Sequence, residues 1–167
     1  MESSASSPKA LSSGTASSRN VLPDSEEIQK RLYHIYALSA DKTLLQFLKE
    51  HENQSLNRDD VNNMLLCLFR DHALVEAYSL LYELNSKQFL LIIYNKIKYY
   101  CHLLDPRDIL QDVFLSIYRY PHKFREGKKH AFRNWSYSII RNTIFKHLKM
   151  RDKNEGESEG LLEILED

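Results

Sequence analysis

At 167 residues, with 43% hydrophobic and 28% charged residues, the chain has the size and balance of one ordinary globular domain or two small ones. Four Gly and four Pro exclude collagen-like and Pro/Gly-rich chains and disfavour an all-β protein, which needs turn residues at roughly every eight to twelve positions. The net charge of +0 hides a segregation of sign: residues 119–153 carry a net +9, residues 154–167 a net −6, and residues 24–118 a net −4. A basic stretch of that density makes a local positive potential suited to a polyanion.

Two cysteines, Cys67 and Cys101, stand in no CxxC pair, which argues against a disulfide framework and for a reducing, cytoplasmic compartment. The N-terminus has neither a basic n-region nor an apolar h-region, so no secretory signal is read there. The longest apolar run, Phe89 to Ile93, is too short to span a bilayer, and no membrane association is expected.

Eight of the first twenty residues are Ser, and residues 1–23 read as a disordered tail that cannot bury enough apolar surface to offset its entropy. Order is expected near Asp24. The first helix, SEEIQKRLYHIYAL, takes Ser25 as its N-cap and places Ile28, Leu32, Ile35 and Tyr36 on one face. Asp41 caps KTLLQFLKEH. Asn57 caps NRDDVNNMLLCLFRD, with Val61, Met64, Leu65 and Leu68 inward. HALVEAYSLLYELN follows, a break is expected at Asn85–Ser86, and Ser86 caps the apolar helix SKQFLLIIYNKIKYYCHLL. The Tyr and Leu residues of these helices read as core.

Asp105 then caps the clearest helix start in the chain, with Pro106 at the first helical position and Asp108 at N3. Its apolar positions are Leu110, Val113, Phe114 and Ile117. Residues 120–130, with Pro121 and Gly127, read as a loop. A long helix from Ala131 buries Phe132, Trp135, Ile139, Ile140 and Ile144. An acidic linker follows, and GLLEILED reads as a short terminal helix. No segment alternates with period two. The fold class is all-α, a compact helical bundle of about six or seven helices.

No Gly-rich phosphate loop, HExxH or GxSxG occurs, so an enzyme is not expected, and neither a cofactor nor a metal site is read. Asp105, Asp108 and Asp112 lie three and four residues apart and share a helix face. A metal-dependent hydrolase could use such a face, but Asp105 already serves as a cap. Asp108, Gln111 and Asp112 read instead as an exposed face for basic side chains of a protein partner. Downstream, Arg119, Lys123, Arg125, Lys128, Lys129, Arg133, Arg141, Lys146, Lys149 and Arg151 interleave with Tyr118, Tyr120, Phe124, Phe132, Trp135, Tyr137 and Phe145. Cations supply affinity for phosphates, and aromatic faces accept unstacked bases. Trp135 and Phe132 are read mainly as core.

The stretch DPRDILQDVFLSIYRYPHKFREGKKHAFRNWSYSIIRNTIFKHLK resembles the second region of the sigma-70 family, in the form seen in extracytoplasmic-function sigma factors. The matching features are the D-[LIV]-[LIV]-Q-[DE]-x-F-[LI] helix at Asp108 to Leu115, the Phe124–Arg125 pair, the F-x-x-W step from Phe132 to Trp135, and R-N-x-x-x-x-x-L at Arg141, Asn142 and Leu148. The likeness covers roughly residues 72–151. It implies a helical domain at 71–151 that binds the β′ clamp helices of core RNA polymerase and recognises and melts a promoter −10 element through its non-template strand. Under the resemblance, Asp108, Gln111 and Asp112 meet the polymerase. Lys123, Phe124, Arg125, Lys128, Lys129, His130, Arg133, Arg141, Asn142, Lys146 and Lys149 meet DNA, the loop capturing a flipped base.

Three features depart from the family. The loop between Phe124 and Trp135 is about two residues longer than usual, so base identity does not carry over. Residues 24–70 form an N-terminal helical extension without a recognised counterpart. The chain stops at Asp167, after the acidic segment 152–167, without the family's −35-reading helix-turn-helix. The resemblance leaves open a truncated product or a natural second-region-only protein that needs a partner, such as a separate −35-reading subunit, with an anti-sigma factor as a further expected partner. The alternative is a helical interaction module that holds polymerase, or another helical partner, without reading promoter DNA.

Overall fold

The computed structural model of the chain describes residues 20–100 and 102–155. The Ser-rich tail up to residue 19, Cys101, and residues 156–167 with their expected terminal helix lie outside the described residues. Six α-helices follow in order: α1 (Ser25–Ser39), α2 (Lys42–Glu50), α3 (Arg58–His72), α4 (Val75–Ile97), α5 (Pro106–Arg119) and α6 (Ala131–Glu155). Short 3-10 turns occupy Lys98–Tyr100 and Pro121–Lys123. Among the described residues the only β-type pairing is one isolated bridge between Val21 and Asn57. The all-α expectation holds. No helix among the described residues is long and apolar enough to cross a membrane.

Three of the five expected caps form as read. The side chains of Asp41, Asn57 and Asp105 accept backbone N–H bonds from Leu44, from Asp59 and Asp60, and from Arg107. Each satisfies donors that the first helical turn leaves unpaired. The first helix differs. Ser25 is its first helical residue, and Asp24 stands before it in the left-handed region at φ 55° with no side-chain cap. The Ser25 hydroxyl instead donates to the Leu22 carbonyl at 2.9 Å and accepts from the Leu56 N–H at 3.2 Å. Leu22 is buried, and its N–H donates to the Leu56 carbonyl. The chain is therefore packed upstream of Asp24, because the Ser25 side chain ties the entering segment to the approach to α3.

The expected break at Asn85–Ser86 does not occur, and α4 runs through it. Asn85 is buried. Its amide donates to the Leu81 carbonyl at 2.7 Å and exchanges two hydrogen bonds with the Asn62 amide of α3, at 2.8 and 2.9 Å. A residue that disfavours helix when its side chain competes for backbone is here occupied by a partner in another helix.

The core joins α4, α5 and α6 through Phe89, which stacks on Phe114 at 5.4 Å and on Phe132 at 6.2 Å between ring centroids. Ile109, Val113, Phe114 and Ile117 form the inner face of α5, and Leu110 sits at its edge. On α6, Phe132, Ile140 and Ile144 are buried, while Trp135 and Ile139 are partly exposed against the core. The Tyr78 hydroxyl donates to the Phe114 carbonyl at 2.9 Å, and burial pushes its pKa up to about 12. α3 packs on both α4 and α6, and also reaches the turn at Pro121–Lys123.

Replacing Asn85 with Ala leaves the buried Asn62 amide unsatisfied and is expected to cost about 1–3 kcal/mol. The double replacement Asn62→Leu with Asn85→Leu removes both polar partners and is expected to lie closer to wild type than the single variant. Urea denaturation of the three proteins checks the order.

Candidate nucleic-acid interface

The start of α5 is fixed by the Asp105 cap and by Pro106, and its outer face carries Asp108, Gln111 and Asp112, all exposed. Asp112 Oδ2 lies 2.6 Å from His147 Nε2 of α6. The pair tethers this face to the basic helix. Beside Gln111, a groove of about 700 Å³ runs between α4 and α5, lined by Tyr82, Leu90, Leu110, Leu115 and Tyr118. Tyr82, Leu91 and Tyr94 of α4 and Leu115 and Tyr118 of α5 are exposed. Reading every Tyr and Leu of the first helices as core was therefore too broad. The sign of an outward apolar face was already present in α4, which is apolar around most of its circumference.

The loop after α5 folds inward at Phe124. Its side chain is 0% exposed and packs 5.5 Å from the Trp135 ring. Phe124 is a core anchor and offers no face for a base, which corrects its reading as a DNA contact. The cause is local: the Pro121–Lys123 turn, closed by the Phe124 N–H on the Pro121 carbonyl, directs the next side chain into the bundle. Exposed aromatic surface lies instead at Tyr120, with Lys123 Nζ 4.6 Å above its ring, and at Tyr137. Both tyrosines stand among the interleaved aromatics of the sequence, where nothing local sets them apart from Phe124. Arg125 curls back so that Nη1 donates to the His122 carbonyl at 2.7 Å. Gly127 turns the chain at φ 128°, with open space around it. That backbone angle suits glycine rather than an L side chain. Lys128 and Lys129 follow, both exposed.

Two further candidates point inward. Arg133 Nη2 donates to Asp59 Oδ2 at 2.8 Å, and His130 Nδ1 lies 2.9 Å from the same oxygen. Asp59 belongs to α3 and is 4% exposed. The Arg133 guanidinium thus already serves an internal carboxylate, which differs from the expected phosphate contact. A buried carboxylate is tolerated only where such partners meet it. Farther along α6, Arg141, Asn142, Lys146 and Lys149 are exposed. Asn142, Lys146 and Lys149 fall at helical spacing on one stripe, and Lys149 Nζ stands 5.0 Å over the Phe145 ring.

Residues of α3 that sequence reasoning left out also touch the loop. Arg70 donates to the Phe124 carbonyl at 3.2 Å and to Glu126 at 3.0 Å. The Cys67 thiol donates to Glu126 at 2.7 Å. Those two contacts hold the Glu126 carboxyl below its ordinary pKa, while burial and the Glu126 carboxylate push the Cys67 thiol up to about 12. Hydrogen bonding to Asp71 and Glu126 raises the pKa of Arg70 against its partial burial.

The lowered Glu126 value fixes a sign. Its contribution to stability is present above its ordinary pKa of 4.5 and is lost as pH falls through the lower folded-state midpoint. Carboxyl NMR is expected to show Glu126 titrating below 4.5, and Arg70→Gln should move the midpoint upward. A midpoint at or above the ordinary value contradicts the contact.

Residues 87–154 match the family model for Sigma-70 region 2. The match begins within α4 and takes in α5, the loop and nearly all of α6, while α1, α2 and α3 precede it. Searches of the curated proteins and of the solved structures found no match.

Proposed function

We propose, from the match of residues 87–154 to the Sigma-70 region 2 family model, that the chain is a non-enzymatic, sigma-like factor that docks on the RNA polymerase clamp helices through α5 and receives the promoter −10 non-template strand on its loop and α6. The observation that carries this reading is the partition of charge over the surface of the matched segment. Exposed carboxylates stand on α5 at Asp108 and Asp112, and exposed cations stand on the loop and α6 at Lys128, Lys129, Arg141, Lys146 and Lys149.

Asp108, Gln111 and Asp112 would meet basic side chains of the clamp helices, and the neighbouring apolar groove would accept their apolar stripe. Lys128 and Lys129, with Lys146, Lys149, Arg141 and Asn142, would position the strand by phosphate contacts that carry no base identity. Tyr120 and Tyr137 supply the stacking surface that Phe124 does not. The mechanism is non-covalent: captured, stacked bases offset part of the cost of opening the duplex. In this reading residues 71–151 are the working domain, residues 24–70 extend it, and the protein acts in the cytoplasm beside the polymerase. The net −6 of residues 154–167, directly after the net +9 of residues 119–153, would restrain the basic surface by repelling or mimicking DNA.

Asp108→Arg or Asp112→Arg is expected to abolish binding to core RNA polymerase with circular dichroism unchanged. Loss of an interfacial charge pair commonly costs about 2–5 kcal/mol, ample for a titration to detect. Wild-type affinity in both variants would remove the α5 assignment.

Lys128→Glu with Lys129→Glu is expected to weaken single-stranded DNA binding for every sequence alike, and to flatten the salt dependence by roughly 0.7 in log–log slope per lost phosphate contact. Fluorescence anisotropy at several salt concentrations reads both effects. An unchanged slope would place the strand elsewhere.

A further inference from the structure

Four polar residues of α3 form one stripe. Asp59, Asn63, Cys67 and Arg70 recur at spacings of four, four and three, the spacing of a single helix face. All four reach the segment from Phe124 to Arg133. Arg70 holds the Phe124 carbonyl and Glu126, and Cys67 holds Glu126 as well. Asn63 Nδ2 donates to the Lys129 carbonyl at 3.0 Å and to the Lys128 carbonyl at 3.5 Å. The Asn63 oxygen accepts the Phe132 N–H at 2.9 Å. Asp59 gathers His130 and Arg133.

The Phe132 N–H is among the first donors of α6, which have no partner within their own helix. At α2, α3 and α5 such donors are met by the residue just before the helix, Asp41, Asn57 and Asp105. At α6 that residue is His130, and its ring is directed to Asp59 instead. The cap is therefore supplied from α3, by Asn63. One side chain thus fixes the backbone of Lys128, Lys129 and Phe132, and leaves the Lys128 and Lys129 side chains in solvent. Behind the loop lies a cleft of about 440 Å³ walled by the carboxylates of Asp60, Asp71 and Glu126. Phosphates are repelled from that side, so a strand that meets the loop meets its lysine side.

We propose that α3, which precedes the family match, is part of the DNA-reading device, and that Asn63 is a positioning residue which holds the loop in the conformation that distinguishes one strand sequence from another. A loop set in advance loses less conformational freedom on binding and tolerates fewer alternative fits. Phosphate affinity does not require that fixed shape, because it depends on charge; base discrimination does. The inference rests on the strand-binding reading above.

The test uses the full chain with core RNA polymerase and a randomised single-stranded DNA library, alongside amide hydrogen exchange of the chain alone. Asn63→Ala is expected to speed exchange of the amides from Lys128 to Phe132 by about fivefold to tenfold, the loss of one cap. It should broaden the enriched sequence family while polymerase affinity and the salt slope stay as in wild type. Asn63→Asp retains the acceptor for the Phe132 N–H but loses both donations to the lysine carbonyls, so it should restore protection at Phe132 and only part of the selectivity. Arg70→Gln loosens the loop at its other end and should shift selection in the same direction, which keeps the inference testable if Asn63→Ala fails to fold.

Faster exchange with an unchanged enriched family would show α3 to be structural only and would overturn the inference while leaving the function intact. Unchanged exchange would overturn it too. A wild-type chain that enriches no sequence, even with polymerase, removes the strand-binding reading, and this inference with it.

Discussion

A carboxylate at 4% exposure is the constraint on which the arrangement turns. Asp59 can lie inside only because Arg133 and His130 of the matched segment reach it, with Asn20 completing the group through its contacts to Arg133 and Asp59. Removing either partner leaves the buried Asp59 carboxylate less well compensated and is destabilising. The pairing therefore fixes α3 against the start of α6. Once α3 is placed, its polar stripe meets the loop, and its opposite contacts, the Asn62–Asn85 pair among them, lock it to α4. Extension and matched segment fold as one bundle because the charge in one is satisfied by the other.

That bundle presents two chemically different surfaces at a short remove. α5 exposes Asp108 and Asp112 beside Leu115 and Tyr118, with Arg107 and Arg119 at its two ends, while the loop and α6 expose mainly cations. The Asp112–His147 contact joins the two faces directly. Electrostatic complementarity of this kind favours correct partners and rejects wrong ones more than it adds raw affinity.

The legibility of the sequence followed locality. Caps at Asp41, Asn57 and Asp105 were readable because the capping side chain lies within a few residues of the N–H it satisfies. Val113, Phe114 and Ile117 of α5 and Phe132, Ile140 and Ile144 of α6 were readable from helical periodicity, while Ile109, buried in place of Leu110, was missed. Asn85 was misread as a break because its partner, Asn62, lies 23 positions away, and a local reading sees only a weak helix former. Phe124 was read as a base-stacking residue because basic neighbours surround it in sequence, yet a 3-10 turn sends its ring inward. Asp59, Asn63 and Arg70 were passed over because polar residues on a helix look solvated until the loop they hold is placed. Arg133 illustrates the same limit from the other side: its charge was legible, but the carboxylate it answers was not.

The most direct measurement is hydrogen exchange of the chain in three states: alone, with core RNA polymerase, and with polymerase plus a forked DNA carrying a single-stranded non-template segment. The account predicts new protection across Pro106–Arg119 on adding polymerase, and further protection across residues 120–149 only when DNA is added. Protection confined to α1 and α2, or identical patterns with and without DNA, would contradict the assignment of α5 to polymerase and of the loop and α6 to the strand.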